Sequence, residues 1–258
     1  MNAISIDLPK DLKKLELVCL SDSHIGDPFA NEQAIMEQIR YIAETDNCYC
    51  ILNGDLINNA TKNSPSVVYT ETLSPMEQLV KVAMMLKPIA PKVFAITQGN
   101  HERRTARDSG IDIARLIARE LGLEERYSEG MAYIFLRFGD VGSRKHNKKQ
   151  RYTILVTHGS GGGRTIGGKA NRLSDLVSIA DADLYLYGHT HQNMAFKEGF
   201  MRVDSCNDLV TRVDRLFVNA GAFLDWGGYA EQAQYHPSII STPHIFLDGT
   251  KRAMTCSL

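Results

Sequence analysis

Residue types that bind metal ions recur along this 258-residue chain, each time directly after a short apolar run. Five such places follow one another, and they hold Asp22 and His24, Asp55, Asn100 and His101, His158, and His189 and His191. Five of the eight histidines belong to this set. Histidines scattered over a surface would have no reason to follow strand ends. Mixed carboxylate, imidazole and amide groups suit divalent manganese, iron, zinc or nickel, so the pattern predicts a metal site.

The number of candidate donors indicates more than one ion. Eight residues exceed the four ligands of a structural zinc. They fit two ions that share a bridging carboxylate about 3.5–4 Å apart, as in two-metal hydrolases. Glycines 54, 99 and 188 each precede a donor residue. Such glycines suit turns at which a β-carbon would block the inward path of a ligand.

Apolar periodicity predicts the elements that position these residues. Buried strands are predicted directly before the five places, at 15–20, 49–52, 92–97, 152–156 and 184–187. Cap residues and helical spacing predict helices at 31–44, 75–86, 111–121 and 171–179. Further strands are predicted at 131–138 and in the hairpin-like tail, at 194–203, 215–219, 244–247 and 251–256. Strands that alternate with helices favour a layered α/β fold, in which sites form beyond the carboxyl ends of the strands.

Composition is that of an ordinary globular protein, with 43% hydrophobic and 23% charged residues. The formal net charge of -1 excludes a global basic field that would attract nucleic acid. It does not exclude a local basic groove that binds nucleic acid. No apolar run approaches the roughly 20 residues that span a bilayer, and residues 1–14 lack the apolar core of a signal peptide. The five cysteines follow no disulfide or zinc spacing, so we expect reduced thiols and a cytoplasmic location without membrane contact.

Taken in chain order, the motifs resemble the signature of calcineurin-like metallophosphoesterases. The matching residues are Asp22-Ser23-His24, Gly54-Asp55, Gly99-Asn100-His101-Glu102, His158 and Gly188-His189-Thr190-His191. A lone Asp-x-His would mean nothing, whereas this ordered set is highly specific and spans most of the chain. The resemblance implies the layered fold of that family, a β-sandwich core flanked by helices, with residues 1–258 as a single domain. The tail, with Gly228-Tyr229-Ala230-Glu231 and Pro243, is similar to bacteriophage-type members.

The resemblance also implies a pair of divalent metal ions. Manganese is the first choice, with iron, zinc or nickel as alternatives. The implied ligands of one ion are Asp22, His24 and His191, those of the other are Asn100, His158 and His189, and Asp55 bridges the two. Hydroxide that bridges the ions would attack phosphorus in line with the departing oxygen.

Two more residues take implied roles beside the metals. His101 would stay off the ions and face the scissile phosphate, where it would donate a proton to the leaving oxygen or stabilise developing charge. Glu102 would fix the orientation of an imidazole. Many relatives carry a further Asp three residues after the bridging one, where this chain has Asn58. An amide supplies no charge, so a supporting role at that position is in doubt.

The glycine-rich segment 160–170 nearly matches the phosphate-binding loop of nucleoside triphosphatases, but Ala170 stands where a hydroxyl should bind magnesium. A better hypothesis is that Arg164 or Lys169 borders the metal site and contacts the substrate. The alternative is a surface loop with solvated charges. Two interpretations are also open for the basic stretch 144–151. It contacts a nucleic-acid backbone, or its charges form a solvated face.

The function predicted from these observations is hydrolysis of phosphodiesters, with nucleic acid or a nucleotide as the substrate. Diester is favoured over monoester because His24, His101 and the Gly188-His189-Thr190-His191 motif resemble phosphodiesterases more than protein phosphatases. The alternatives are a phosphomonoesterase acting on nucleotides or phosphoproteins, and an inactive protein-binding scaffold. A scaffold should have lost ligands, yet every primary ligand position is filled. The substrate, the native metal pair and the oligomeric state stay open.

Overall fold

The computed structural model describes residues 2–64, 67–142 and 148–258. The strands in these ranges are β1 (Asn2–Asp7), β2 (Lys14–Leu20), β3 (Cys48–Asn53), β4 (Val93–Thr97), β5 (Tyr127–Ser128), β6 (Ala132–Phe138), β7 (Gln150–Thr157), β8 (Leu184–Tyr187), β9 (Met194–Asp204), β10 (Leu209–Asn219), β11 (His244–Asp248) and β12 (Met254–Ser257). The α-helices are α1 (Glu32–Glu44), α2 (Pro75–Leu86), α3 (Glu102–Ser109), α4 (Ile113–Glu120), α5 (Ile166–Ser174) and α6 (Gly228–Gln232). Short 3-10 helices occupy Val68–Thr70, Lys87–Lys92, Glu124–Arg126 and Asp175–Ser178. Among the described helices, none combines the length and the apolar composition needed to cross a membrane.

The strands form two six-stranded sheets. The first has the order β1-β6-β7-β8-β10-β9 and the second the order β12-β11-β2-β3-β4-β5. In the second sheet β2, β3 and β4 are parallel neighbours, and in the first sheet β7 and β8 are parallel neighbours. Parallel neighbours end at the same edge of a sheet, so the polar residues that follow them are brought together.

An apolar layer lies between the two sheets and joins them. Leu17 of β2 and Ile51 of β3 pack there with Ile134 and Ile154 of the opposite sheet. The next residue along β2, Val18, packs on the outer face, in a cluster with buried residues of α1, α2 and α4. Buried residues of α5 and of the segment directly after it cover the outer face of the first sheet. The predicted α/β fold, a layered β-sandwich flanked by helices, is confirmed.

Helix starts were predicted well where a cap residue is present. Asn31 accepts a hydrogen bond from the Ala34 amide at 3.0 Å and begins α1. At α2 the Ser74 hydroxyl accepts from the Glu77 amide at 3.4 Å, and the Glu77 carboxylate accepts from the Ser74 amide at 2.8 Å. This reciprocal capping box, followed by Pro75 at the first helical position, explains why the predicted start at residue 75 is confirmed.

Several elements differ from the sequence prediction, among them β10, which begins at residue 209 instead of 215, and the unpredicted α6 and β5. Strand β1 was not predicted, and it is defined by parallel pairing with β6, a partner far away in sequence. Helix α3 was not predicted either, because its sequence, ERRTARDS, carries no apolar stripe. Helix α5 begins at Ile166 instead of 171, where the Thr165 hydroxyl accepts from the Gly168 amide at 3.2 Å. Lys169 therefore lies on a helix and not in the preceding loop.

The basic stretch 144–151 is described only in part. Residues 143–147, which include Arg144, Lys145 and His146, lie outside the described residues. Within the described part, Lys149 forms an ion pair with Asp7, whose carboxylate also faces Arg137 at 3.5 Å. The charge of Lys149 is thus partly neutralised within the protein. Contact between this stretch and nucleic acid stays a prediction.

Candidate metal centre

Asn53, the last residue of β3, connects the two sheets at the edge where the donor residues follow. Its side-chain amide donates to the Thr157 carbonyl at 3.0 Å, and its amide oxygen accepts from the Thr97 hydroxyl at 2.7 Å. Thr157 and Thr97 are the last residues of β7 and β4. The loops that carry the donors therefore start side by side. No sequence motif marks Asn53, and the sequence analysis missed it.

The donor residues have an unusual backbone conformation. Asp22, His24, Asp55, His189 and His191 have positive φ angles of 53°, 45°, 48°, 63° and 51°. Nine residues other than glycine show positive φ in the described part of the chain, and these five account for most of them. Holding such a residue in a sparsely populated region costs about 1–3 kcal/mol. Strain concentrated in one group of polar residues is typical of a functional site.

Two of the predicted glycines permit close approaches beside the donors. A β-carbon at Gly99 would collide with the carboxylate of Asp55, and one at Gly188 would collide with Ser21 and lie 3.0 Å from Oδ2 of Asp22. Glycine is required at these two positions because the space beside them is too small for a β-carbon. The expectation that glycine is needed beside the donors is confirmed for both.

The first group of donors consists of Asp22, His24 and His191, whose ligand atoms lie within 4.8 Å of one another. Nε2 of His191 lies 3.2 Å from Oδ1 of Asp22 and 3.3 Å from Nε2 of His24. Oδ1 of Asp22 is buried and accepts no hydrogen bond from the described residues. A buried carboxylate oxygen without a hydrogen bond is costly unless a cation binds it. This group therefore fits a metal ion.

The second group contains Asp55, His158 and His189, again within 4.8 Å. Nε2 of His158 lies 3.2 Å from Oδ2 of Asp55 and 3.1 Å from the side-chain oxygen of Asn100. Nδ1 of His158 donates to the Asn53 carbonyl at 2.7 Å. That bond places the proton on Nδ1 and leaves Nε2 as the metal-binding atom, the usual arrangement at metal sites.

Asp55 belongs to the second group and also lies close to the first, since the ligand atoms of His24, Asp55 and His101 form a third set within 4.8 Å of one another. Its Oδ2 is 3.2 Å from Nε2 of His158 and 4.0 Å from Nε2 of His24, and these two histidines belong to different groups. Its Oδ1 accepts a hydrogen bond from the His101 amide at 2.8 Å. The side chain is buried and fixed where a carboxylate shared by two ions would have to be.

Both central carboxyls are ionised. Burial by itself raises the pKa of Asp22, but the nearby charges of His158 and His191 outweigh it and bring that pKa to about 2. Burial likewise raises the pKa of Asp55, and the charges of His101 and His158 outweigh it, so this pKa lies well below its usual range. Ionised carboxylates are the form that binds metal.

His101 lies beside Asp55, with its Nε2 3.7 Å from Oδ2 of that residue. Nδ1 of His101 donates to the Asn58 carbonyl at 2.7 Å, which fixes the ring. Nε2 lies 3.0 Å from a guanidinium nitrogen of Arg104, which can only donate. Burial lowers the pKa of His101 to about 4, with Asp55 opposing and Arg104 adding to the effect. The sequence analysis missed Arg104 because α3 was not predicted.

Glu102 is fully buried and has other partners than the sequence analysis expected. Its carboxylate accepts from the backbone amides of Gly99 and Asp55, each at 3.0 Å, and from that of Leu56 at 2.7 Å. Among the described residues no imidazole bonds to it. Glu102 thus holds two donor-bearing loops together through their backbone, because the backbone N–H groups of tight turns need an acceptor.

Asn58 contacts two imidazoles, which the sequence comparison with Asp-bearing relatives did not suggest. Its side-chain oxygen accepts from Nδ1 of His24 at 3.3 Å, and its carbonyl accepts from Nδ1 of His101. Its side-chain nitrogen donates to Glu71 at 2.5 Å. The side-chain amide orients the imidazole of His24 by hydrogen bonding, and a carboxylate is not needed for that.

Arg164 and Lys169 do not contact the donors. Arg164 is exposed, and Lys169 is half-buried on α5. Within 2–64, 67–142 and 148–258, no hydrogen bond or ion pair joins either residue to the metal-donor groups. Substrate contact by these two side chains stays a prediction.

The chain belongs to the calcineurin-like phosphoesterase family, whose family model matches residues 15–193. Members of this family are metal-dependent phosphoester hydrolases, and the two donor groups lie within the matched residues. The narrower likeness to bacteriophage-type members stays a prediction. A search of curated proteins gives no match.

Several solved structures match this chain over most of its length at low sequence identity. An uncharacterised protein from Streptococcus pneumoniae, titled a predicted phosphoesterase, has 16% identity, with 94% of this chain and 88% of that chain covered, at a TM-score of 0.38. Vps29 from Entamoeba histolytica in complex with zinc has 11% identity, with 94% and 97% covered, at 0.42. The calcineurin-like phosphoesterase YfkN from Bacillus subtilis has 12% identity, with 95% and 90% covered, at 0.36.

Proposed function

We propose that this protein is a two-metal phosphodiesterase. The observation that carries the proposal is that Asp55 lies close to donors of both groups, one of which contains the buried Oδ1 of Asp22, an oxygen that accepts no hydrogen bond from the described residues. The seven proposed ligands exceed what one ion needs. The donor chemistry suits manganese first, then iron, zinc or nickel.

In this proposal Asp22, His24 and His191 bind one ion, Asn100, His158 and His189 bind the other, and Asp55 binds both. Two such ions, when bound, lower the pKa of water to supply a nucleophile and neutralise charge on the phosphoryl oxygens. The residues themselves keep the donor atoms fixed. His158 is held by Asn53, His24 by Asn58, and the turn of Asp55 by Glu102.

His101 acts on the substrate side in this proposal. Its Nδ1 is committed to the Asn58 carbonyl, so only Nε2 can face a substrate. Because Nε2 accepts from Arg104 in the structure, it must be protonated and leave that contact before it can donate a proton to the leaving oxygen or stabilise charge there. Both roles leave His101 off the metals.

Nucleic acid or a nucleotide is the substrate class that we propose. The support is local positive charge, because α3 carries Arg103, Arg104 and Arg107 directly after His101. Basic side chains beside a hydrolytic site attract polyanions even when the net charge of the protein is near zero.

A manganese-supplemented screen tests the proposal. The substrates are bis-p-nitrophenyl phosphate, p-nitrophenyl phosphate, cyclic nucleotides, and single- and double-stranded DNA, with Asp55→Asn as the matched inactive control. We expect the diester to be hydrolysed faster than the monoester. Preference for p-nitrophenyl phosphate would assign a phosphomonoesterase instead. Two bound metals without turnover of any ester would assign a binding scaffold.

A further inference from the structure

Arg104 places a guanidinium directly beside His101. One guanidinium nitrogen donates to the Asn58 carbonyl at 2.9 Å, and the other lies 3.0 Å from Nε2 of His101. The first contact is to the carbonyl that also orients His101, and the second is to His101 itself. Nε2 of His101 lies in turn 3.7 Å from Oδ2 of Asp55. Only His101 therefore lies between the charge of Arg104 and the carboxylate of Asp55.

This charge has no anionic partner in the described part of the chain. Burial lowers the pKa of Arg104, and the more distant charges of Asp55, Glu102 and Glu71 oppose the effect without forming an ion pair with it. A guanidinium stays protonated in proteins and has five N–H donors. Two of these are directed at the Asn58 carbonyl and at His101. A half-buried cation with remaining donors is suited to bind an anion that arrives from outside.

We propose that Arg104 binds the phosphoryl oxygens of the substrate at the His101 side of the site. The inference rests on the proposed function, because it names a further residue that contacts the same phosphate. Planar guanidinium groups match two phosphoryl oxygens with parallel N–H bonds. In this arrangement the Arg104 charge orients the ester so that its leaving oxygen faces His101. The contact to the Asn58 carbonyl keeps the guanidinium in place before the substrate binds.

Calorimetric titration of inorganic phosphate into the manganese-loaded full chain tests this contact. The variants are Arg104→Ala and Arg104→Gln, and Arg107→Ala is the matched control, since Arg107 lies on the same helix and is exposed. Loss of a hydrogen bond to a charged group should weaken phosphate binding about 10- to 100-fold. Arg107→Ala should bind like the parent protein. Metal content, measured on each variant, should stay equal to that of the parent.

Arg104→Lys sharpens the test. Lysine keeps the charge but lacks the fork geometry, so it should restore only part of the affinity. Should Arg104→Ala fail to fold, Arg104→Gln retains a similar stem and a donor for Asn58 and decides the question alone. Phosphate affinity of Arg104→Gln within twofold of the parent overturns the proposal. Unchanged phosphate affinity with a slower kcat also overturns it, because Arg104 then acts only through His101.

The phosphate titration separates this inference from the proposed function, because it needs no turnover. If the parent binds phosphate through Arg104 but hydrolyses no ester, the phosphodiesterase proposal fails and the inference stands. If the parent hydrolyses diesters while the Arg104 variants bind phosphate normally, the inference alone fails.

Discussion

The two sheets contribute to the candidate metal centre in different ways. The loops after β2, β3 and β4 carry Asp22, His24, Asp55, Asn100 and His101, and buried side chains brace them from behind. The loops after β7 and β8 carry His158, His189 and His191. Here the side chain of His191 is 30% exposed, whereas that of Asp55 is 2% exposed. After His158 the chain continues into the exposed glycine-rich segment at 160–162.

We call the loops after β2, β3 and β4 the braced half of the site, and Glu102 fixes two of these loops. This one carboxylate accepts hydrogen bonds from the loops that follow β3 and β4, so both loops are held at fixed separation. The loop after β8 is held by separate contacts, since Asp22 accepts from the His189 amide at 3.0 Å and the side-chain nitrogen of Asn219 donates to the Thr190 hydroxyl. The second half is thus positioned partly by the first. The difference indicates that one sheet supplies a rigid frame and the other closes the site.

Asp55→Asn should have the largest effect, because Asp55 lies close to donors of both groups. We expect loss of both ions, seen as metal content by elemental analysis, and loss of diester hydrolysis below detection. Asn58→Ala is the control. It removes the bond to His24 but keeps the backbone carbonyl that orients His101, so the loss should be about tenfold, at the mild end for groups that orient a ligand. Equal losses at the two positions would place the bridge elsewhere.

His101→Ala tests whether the braced half also carries the group that acts on the substrate. Loss of a positioned acid typically slows turnover about 10²–10⁴-fold, and both metals should stay bound. The loss should be smaller for a p-nitrophenolate leaving group, which departs without a proton, than for an alkyl or nucleoside leaving group. A variant that loses a metal would instead make His101 a ligand. One that slows all leaving groups equally would make it a charge stabiliser.

Glu102→Gln tests the brace itself. The amide nitrogen of glutamine cannot accept, so buried backbone N–H groups lose their partner at a cost of about 1–3 kcal/mol each. Urea unfolding should show the lower stability, and metal affinity should fall about 10- to 100-fold, as for other groups that support ligands. Glu120→Gln is the control, since Glu120 is exposed on α4. Unchanged stability in Glu102→Gln would mean that the two loops hold their positions without it.

Arg164→Ala and Lys169→Ala should have the smallest effects, because both residues belong to the less braced half. If they contact substrate, KM rises a few-fold with kcat unchanged, as expected for a contact equally strong in the ground and transition states. Steady-state kinetics on single-stranded DNA and on bis-p-nitrophenyl phosphate measures the effect. A large fall in kcat for either variant would contradict the division between frame and closing half.

Local signals explain which predictions from sequence were confirmed. Helix α2 was found at its N-terminus because Ser74, Pro75 and Glu77 interact within one turn. Strand β2 was found because it is an apolar run buried on both faces after its first residue. The donor residues were expected at one edge because parallel strands end there, and the structure does bring their ligand atoms close together. Their role as metal ligands stays a prediction.

Non-local contacts explain much of what the sequence analysis missed. Strand β1 is recognisable only by its pairing with β6. The partners of Glu102 are backbone amides of a different loop, and backbone amides leave no mark in a sequence. The contact between Arg104 and His101 is local, three residues apart, and was missed because α3, a helix without an apolar stripe, was not predicted.

The amino-acid sequence by itself determined the family, the types of the donor groups and their place after the strands. These depend on residue identity and on short-range periodicity, which a single chain displays directly. Only the tertiary structure decided the assignment of partners: Asn53 on Thr157 of the opposite sheet, Glu102 on backbone amides and Arg104 on His101. The contact of Asn53 and the approach of His158 to Asp55 depend on the relative position of the two sheets. That position follows from packing of the shared apolar layer, which no local pattern encodes.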